Sequence, residues 1–376
     1  MRLGSLCSGA GSLDLAVEQV FGAETVWHCE IDDAASKVLA HRWPDVPNHR
    51  DLTTTDWSAV EPVDILTGGY PCQPFSHAGK RKGTDDERHI WPDVREAIRR
   101  LRPRYTFLEN VAGHRSLGFN RVLGDLAEDG LHARWTSVRA SDVGAPHQRE
   151  RLFILVTPPD ADDTTCCSGH SRSASASGDG QTDRIVGRCS DAANATRDGR
   201  DERWPEPAGQ LGGSHAPERG AGPVELLPTP TARDHKGHNQ RQDETCLTGA
   251  LLPTPSASDG IGGGPNNPEN RLAQGHHVQL IDLGMLPDEQ WGKYSVAIRR
   301  WEQLTRSAPS PTEPNRNGNP RLNPAFSEWM MGWPAGWVTD VPGISRNDQL
   351  RIIGNGVVVM QAVSAFQWLL NLEVAA

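Results

Sequence analysis

Two residues with complementary chemistry follow predicted strands in the first third of the chain. Cys72 comes directly after the apolar run VDILTGG, within GGYPCQPFS, and Glu109 ends the run RYTFLE. The carboxyl ends of parallel strands meet at one edge of an open sheet, where such folds bind their ligands. We therefore expect the thiol and the carboxyl group to lie near each other.

A thiolate and a protonated carboxyl group can act together on an aromatic pyrimidine. The thiolate of Cys72 could add to ring carbon C6 if the negative charge that develops on the ring is neutralised. A proton of Glu109, hydrogen-bonded to ring N3, would supply that neutralisation. Taken alone, a Pro-Cys loop more often indicates a buried structural thiol. The two residues together predict covalent catalysis on a pyrimidine.

A loop with two glycines, residues 8–11, separates the first predicted strand from the first predicted helix. Such glycines let a ligand approach the backbone near a helix N-terminus. Glu30 lies 21 residues after Gly9, where a carboxylate can accept hydrogen bonds from two ribose hydroxyls. Asp14 stands where a dinucleotide site has its third glycine, which disfavours NAD and leaves a single nucleoside. Asp51 could bind an adenine amino group, although an isolated Asp is more often a cap or turn residue.

Two arginines stand two residues apart before the apolar run LFILV. Side chains at this spacing point the same way from an extended chain. Arg149 and Arg151 could therefore both face the site and hold a phosphate or a pyrimidine O2. Ion pairs along a strand edge are the alternative interpretation of the same pattern.

The elements that would position these residues form an alternating pattern over residues 1–157. Apolar runs alternate with amphipathic helical patterns, which predicts an α/β domain with an open, mostly parallel sheet and crossover helices. The predicted strands are RLGSLC, ETVWHCEID, VDILTGG, RYTFLEN and RERLFILVT, and the predicted helices are SLDLAVEQVF and WPDVREAIRRLRP.

The second half of the chain changes character. Residues 158–222 are rich in Ser, Asp, Gly, Ala and Arg and have few large apolar residues, which predicts a flexible insertion. Residues 223–320 contain two related segments, LLPTPTARD and LLPTPSASD, and a predicted helix, WGKYSVAIRRWEQL. Residues 321–376 regain apolar periodicity and are predicted to return to the first domain.

Composition narrows the range of proteins that this chain could be. No apolar run approaches the roughly 18 residues that cross a bilayer, and no signal peptide is recognised, so we expect a cytoplasmic protein without a membrane partner. The seven cysteines lack a Cys-x-x-Cys pair, which disfavours disulfides and a metal site. Net charge is −10, but residues 79–104 hold nine Lys and Arg against five Asp and Glu. Phosphate contacts would have to come from such a local patch, although a solvated helix face has the same pattern.

Six short motifs together carry a family resemblance. They are LCSGAGSLDLA, CEID, GGYPCQPFS, ENV, QRERLF and GNGVV, in this order. The series resembles that of the DNA (cytosine-5) methyltransferases, particularly phage and bacterial ones, over residues 1–157 and roughly 320–370. The resemblance implies a Rossmann-like S-adenosylmethionine-dependent methyltransferase fold with a smaller, irregular target-recognition domain at 223–320.

The resemblance also implies roles for individual residues. Cys72 would be the nucleophile, Glu109 the partner of N3, and Arg151 with Arg149 would orient the ring. The residues implied for S-adenosylmethionine are Cys7, Gly9, Ala10, Gly11, Ser12, Glu30, Ile31, Asp51, Leu52, Pro71, Asn355 and Val357. Those expected at DNA are Ser76, Lys80, Arg81 and Lys82 in a loop that closes over a flipped cytosine, and Arg233, Lys236 and Gln240 in the recognition region.

Double-stranded DNA is the expected partner, and the implied product is 5-methylcytosine in DNA. The protein is expected to act as a monomer without a metal, in a bacterial or phage-infected cell, and the resemblance leaves open a cognate restriction endonuclease. Three alternatives stay open: a folate-dependent pyrimidine-modifying enzyme, an RNA cytosine methyltransferase of the same fold, and a DNA-binding protein without catalysis. The intact Cys72, Glu109 and Arg151 disfavour the last.

The sequence departs from the family pattern at four positions. Cys7 stands where the family usually has a phenylalanine against the cofactor, and Ile31 where an aromatic residue covers the adenine. His147 replaces the first glutamine of its motif, and Gly356 replaces a more common Ser or Ala. The first two departures bear on cofactor affinity, and none changes the Cys72 and Glu109 pair.

Overall fold

The computed structural model describes five stretches of the chain. All five belong to one compact unit formed by Met1–Asp163 and Leu226–Ala376. The described residues are 1–71, 90–159, 250–260, 280–285 and 291–371. The predicted site residues that lie outside them are Cys72, Ser76, Lys80, Arg81, Lys82, Arg233, Lys236 and Gln240.

A six-stranded sheet forms the centre of the unit, with the strand order β2-β1-β3-β4-β6-β5. The strands are β1 Arg2–Leu6, β2 Glu24–Cys29, β3 Ile65–Gly68, β4 Tyr105–Val111, β5 His132–Arg139 and β6 Glu150–Thr157. The first four strands pair in parallel, whereas β6 runs antiparallel to both β4 and β5. The predicted mostly parallel sheet is confirmed, and all five predicted strands are present.

Helices cover both faces of this sheet. They are α1 Ser12–Phe21, α2 Asp33–Arg42, α3 Trp91–Leu101, α4 Phe119–Glu128, α5 Ser295–Leu304, α6 Pro324–Met330, α7 Arg346–Asn355 and α8 Val359–Leu369. One core lies between the sheet and α1 and α8, where Phe107 on β4 contacts Phe366 at a ring distance of 4.2 Å. A second core packs α3 and α4 against the opposite face around Leu108 and Ile154. The two cores fix the outer layers of a doubly wound fold.

Strand β5 and helix α4 are not among the elements predicted above. Strand β5 is an edge strand, and among its residues only Thr136 and Val138 are buried, so its sequence HARWTSVR has little apolar signal. Helix α4 is amphipathic but contains Gly124 in its interior. Both elements are stabilised by packing against neighbours, which a local sequence pattern does not record.

Helices α7 and α8 occupy the interior beside α1. By length and composition alone, residues 346–369 would suffice to cross a membrane, contrary to the expectation that no such run exists. In this protein, 61% of the apolar window is buried against other elements. Its residues Ile353, Val358 and Phe366 belong to the first core. The segment is therefore accounted for as core helix.

The second of the two LLPTP segments packs against the sheet unit. Leu251 and Leu252 are buried, and the Leu252 amide donates to the Pro146 carbonyl at 2.7 Å. The segment continues without regular secondary structure to a short turn at Ala257–Gly260. This arrangement suits the interpretation of this copy as a proline-stiffened scaffold; the first copy lies outside the described residues.

Candidate active site

The carboxyl ends of four parallel strands bring most described site residues to one edge of the sheet. The glycine loop follows β1, Glu30 follows β2, residues 69–71 follow β3, and Glu109 lies near the end of β4. The sheet order places β1 and β3 side by side in the centre, with β2 and β4 flanking them. One cleft can therefore receive groups from all four strands.

Glu109 and Arg151 form an ion pair between β4 and β6. Arg151 lies opposite Val111 in the antiparallel register, and its Nε is 2.9 Å from Glu109 Oε1. Burial raises the pKa of the Glu109 carboxyl above its usual value, although the charges of Arg151 and Arg149 oppose the shift. A carboxyl with a raised pKa is suited to hold a proton near a ring nitrogen.

The segment that leads to Cys72 lies against this carboxyl group. A Cβ placed on Gly69 would be 3.7 Å from Glu109 Oε2, so the glycine backbone borders the carboxyl. Asn110 Nδ2 donates to the Tyr70 carbonyl at 3.1 Å, and the Tyr70 hydroxyl lies 3.0 Å from His114 Nε2. Cys72 follows Tyr70 by two residues and is itself outside the described residues. The Glu-Asn-Val sequence thus supplies a carboxyl group and also anchors the chain before Cys72.

The hydrogen bonds of His114 assign its tautomer. Its Nδ1 lies 3.0 Å from the Leu117 carbonyl, which can only accept, so Nδ1 carries the proton. In the neutral ring, Nε2 then accepts from the Tyr70 hydroxyl. Burial lowers the pKa of His114, which favours this neutral form.

We expect Tyr70→Phe to lower the rate of covalent bond formation by Cys72 several-fold. The phenylalanine ring still packs in the second core, but the variant lacks the hydroxyl that donates to His114 Nε2, a hydrogen bond with a net worth of about 1 kcal/mol. Single-turnover rates and urea unfolding measure the two effects. An unchanged single-turnover rate in a less stable protein would show that the bond supports the fold alone.

Glu30, just after β2, is hydrogen-bonded to the glycine loop. One carboxylate oxygen accepts from the Gly9 amide at 2.8 Å and the other from the Asp32 amide at 2.8 Å. Burial raises the pKa of Glu30, and the two amides oppose that shift. Gly9 has φ 55°, and no atom lies within 4 Å of the position its Cβ would take, so open space adjoins the loop. The carboxylate is held rigidly beside that space.

The remaining residues predicted for the cofactor line the same edge in different ways. Ile31 is 64% exposed next to Glu30, which leaves an apolar surface for a flat ring. Asp51 Oδ1 accepts from the Thr53 amide at 2.9 Å, as in a turn, while Leu52 is buried beneath it. Pro71 is exposed at the end of the described β3 segment.

The C-terminal segment reaches the glycine loop from the other side. The Val357 amide donates to Ser12 Oγ at 3.0 Å, and Trp337 Nε1 donates to the Ala10 carbonyl at 2.8 Å. Gly11 has φ 76°, and a Cβ there would lie 2.5 Å from the Trp43 ring. Asn355 is exposed at the end of α7. Ser12 and Val357, 345 residues apart, therefore meet in the tertiary structure.

The structure explains one departure from the family pattern, Gly356, and shows the surroundings of two others. A Cβ on Gly356 would lie 2.3 Å from the Trp333 ring, so Ser or Ala would not fit. His147 is fully buried, with Nε2 3.1 Å from the Met330 carbonyl. Cys7 has φ 48°, and its amide donates to the Cys29 carbonyl at 2.8 Å. Burial, followed by the charge of Glu30, raises the pKa of the Cys7 thiol, so this cysteine is not an activated nucleophile.

Arg149 and Arg151 do not share one set of partners. Arg149 has φ 30°, so the extended backbone on which a common direction depends is broken at this residue. Its guanidinium donates to three main-chain carbonyls, whereas Arg151 reaches Glu109. The two positive charges still lie near Glu109, because both lower its pKa. The geometry brings Arg151 to the site and directs Arg149 elsewhere.

Comparison with known proteins identifies the family. The chain matches the family of C-5 cytosine-specific DNA methylases over residues 1–196. It belongs to that family. Among its curated relatives, this chain is 34% identical to the type II methyltransferase M1.ScrFI of Lactococcus lactis over 155 residues, 40% of each protein. It is 36% identical to M.HpaII of Haemophilus parainfluenzae over 159 residues, which are 40% of this chain and 44% of that relative. The match thus spans less than half of either relative.

Solved structures extend the similarity of fold to nearly the whole chain. A Dnmt2 methyltransferase of S. pombe superposes with a TM-score of 0.54 at 16% identity, covering 99% of this chain and 98% of its own. A Spodoptera frugiperda DNMT2 variant superposes with a TM-score of 0.52 at 18% identity, covering 98% and 99%. At these identities the comparison establishes the methyltransferase fold.

Proposed function

We propose that this methylase transfers a methyl group from S-adenosylmethionine to C5 of a flipped-out cytosine in a specific duplex DNA sequence. The observation that carries the proposal is the ion pair between the buried Glu109 and the partly buried Arg151, which borders the backbone leading to Cys72. Family membership supports the choice of DNA cytosine as the substrate class.

In the proposed reaction, each residue of the site has a separate role at the pyrimidine ring. The Cys72 thiolate forms a bond to C6, while the Glu109 proton neutralises charge at N3, so that C5 becomes nucleophilic. Arg151 Nε lies 2.9 Å from Glu109 Oε1, and Nη1 donates to the Glu150 carbonyl at 3.0 Å, so Nη2 would be the donor to the ring oxygen O2. After methylation of C5, loss of the C5 proton expels Cys72 and restores the aromatic ring.

The residues at the ends of β1 and β2 fit S-adenosylmethionine. Glu30 can accept from ribose hydroxyls, Ile31 offers an exposed apolar side chain to the adenine, and the open space beside Gly9 can receive the amino-acid portion. When bound, this cofactor supplies the electrophilic methyl group. Asp51, Asn355 and Val357 would complete the boundary of its pocket.

Access to C5 and C6 requires that the cytosine leave the base stack. We propose that residues 76–89 close over the flipped base and that Lys80, Arg81 and Lys82 meet phosphates there. Cytoplasmic location, a monomeric state and a cognate endonuclease belong to this proposal as expectations.

Bisulfite sequencing of DNA from a host that expresses the protein tests the proposed function. Methylation at cytosines in one sequence context would support it. Unmodified DNA together with methylated RNA from the same cells would instead favour an RNA cytosine methyltransferase of this fold.

Deletion of residues 160–222, replaced by a short Gly/Ser bridge, is expected to preserve methylation and its site preference. The expectation rests on the composition of this segment, which has few large apolar residues. Bisulfite sequencing compares the deleted and parent proteins. If the deleted protein binds cofactor but methylates a different sequence, the segment reads DNA.

Replacement of residues 233–241 by Gly/Ser is expected to reduce specific methylation far more than cofactor binding. This stretch contains Arg233, Lys236 and Gln240, whose side chains can hydrogen-bond base edges. Arg233→Ala or Gln240→Ala should relax the choice at one base position. Loss of a phosphate contact would look different, because activity would fall on every sequence and the salt dependence would become shallower. If the methylation rate and the methylated sequence stay unchanged, residues 233–241 do not recognise the target, and residues 291–304 are the next candidate.

A further inference from the structure

Arg149 joins segments that are far apart in the sequence. Its side chain is buried, with Nη1 donating to the Pro255 carbonyl at 3.0 Å and Nη2 donating to the Gly354 carbonyl at 2.9 Å and to the Gly356 carbonyl. These carbonyls belong to two different backbone segments, and all three hydrogen bonds form only when both segments are in place. One guanidinium therefore ties β6 to the LLPTP segment and to the end of α7.

The backbone of Arg149 is also constrained. A φ of 30° is unfavourable for a residue with a Cβ and persists only where the surroundings enforce it. Gln361 on α8 supplies part of that enforcement, because its Nε2 donates to the Arg149 carbonyl at 2.7 Å and to the Val138 carbonyl at 2.6 Å. The turn sends the Arg149 side chain away from the direction taken by Arg151, which reaches Glu109 two residues later.

A close backbone contact adjoins these hydrogen bonds. A Cβ on Gly354 would lie 2.1 Å from the carbonyl carbon of Ser256 and 2.2 Å from the Ala257 amide nitrogen. The glycine thus permits α7 and residues 251–257 to meet backbone to backbone. Arg149 bonds both partners of this contact through Pro255 and Gly354.

We propose that Arg149 is a positioning residue that seats residues 251–257 on the sheet unit and so couples the target-recognition region to the Glu109–Arg151 pair. The coupling to catalysis rests on the proposed function. A planar guanidinium can donate to three fixed carbonyls at once, whereas a lysine ammonium at the end of a flexible stem cannot reproduce that set. The segment 251–257 thus acts as the anchor of the recognition region.

Amide hydrogen exchange tests the seating without any need for activity. In Arg149→Lys, the amides of the non-proline residues of 251–257 are expected to exchange at least several-fold faster, while strands β1 and β3 retain their protection. Arg346→Lys is a matched control, because Arg346 also donates to a main-chain carbonyl, that of Leu322, outside this junction. Unchanged exchange at 251–257 in Arg149→Lys would overturn the proposal, as would equal acceleration in the control.

A double-mutant cycle tests the coupling to catalysis. Arg149→Lys and Gly354→Ala are each expected to lower kcat/KM for cognate DNA by about 10-fold to 100-fold, the effect of losing hydrogen bonds to a charged group or the contact they support. Since both changes release the same segment, the double variant should lose little beyond the worse single variant. Multiplicative losses in the double variant would overturn the coupling.

The two measurements separate this inference from the proposed function. If the parent protein methylates no cytosine in duplex DNA, the proposed function and the coupling both fail. The exchange rates of residues 251–257 still decide whether Arg149 seats that segment.

Discussion

Cys72→Ala is expected to abolish methyl transfer while leaving the binding of S-adenosylmethionine nearly unchanged. Without the thiolate, nothing activates C5 through addition at C6, and the loss should exceed about 10⁴-fold because covalent activation is removed entirely. Methyl transfer from labelled cofactor to duplex DNA measures the rate, and isothermal titration measures cofactor binding.

Trapping provides a second readout of the same residue. DNA that contains 5-fluorocytosine should form a stable adduct with the parent protein, because fluorine cannot leave as the C5 proton does. Cys166→Ala, which removes a thiol from the predicted insertion, should still form the adduct, and Cys72→Ala should not. The absence of any adduct in the parent protein under turnover conditions would falsify the covalent mechanism.

Glu109→Gln is expected to lower kcat by about 10²-fold or more, the usual range for loss of a general acid. Glutamine keeps hydrogen-bonding groups near Arg151 but cannot supply an acidic proton to N3. Pre-steady-state methylation rates measure the effect. Glu150→Gln is the matched control, since Glu150 lies on β6 beside Arg151 and pairs with Arg139 at 3.9 Å. That variant should stay within about twofold of the parent.

The pH dependence of the parent enzyme should reflect the same carboxyl group. The pKa of Glu109 is raised by burial, so its protonated form persists to higher pH than that of an ordinary carboxyl and is lost as pH rises through the raised pKa. Activity that depends on this proton should decline on the alkaline side, while the need for a Cys72 thiolate limits activity on the acid side. Glu109→Gln should lose the alkaline decline. Retention of that decline in the variant would assign it to another group.

The sequence by itself determined the class of fold and predicted which two residues react. Alternating apolar and amphipathic runs set the order of β1, α1, β2, β3, α3 and β4, because local periodicity reports which side of each element is buried. The ends of parallel strands then placed Glu30 and Glu109 at one edge without coordinates. The order of the motifs limited the choice of protein family, because few reactions need a thiol, a carboxyl group and a nucleoside-binding loop together.

Only the tertiary structure decided what Arg149 contacts. Alternation along an extended strand predicted that it would accompany Arg151, but Arg149 has a positive φ, and its carbonyl accepts from Gln361, more than two hundred residues away in the sequence. The need for glycine at 354 and 356 likewise arises from Ser256 and Trp333, which approach from other segments. Such contacts depend on which distant backbones meet in the folded chain, and local patterns of residue type do not contain that information.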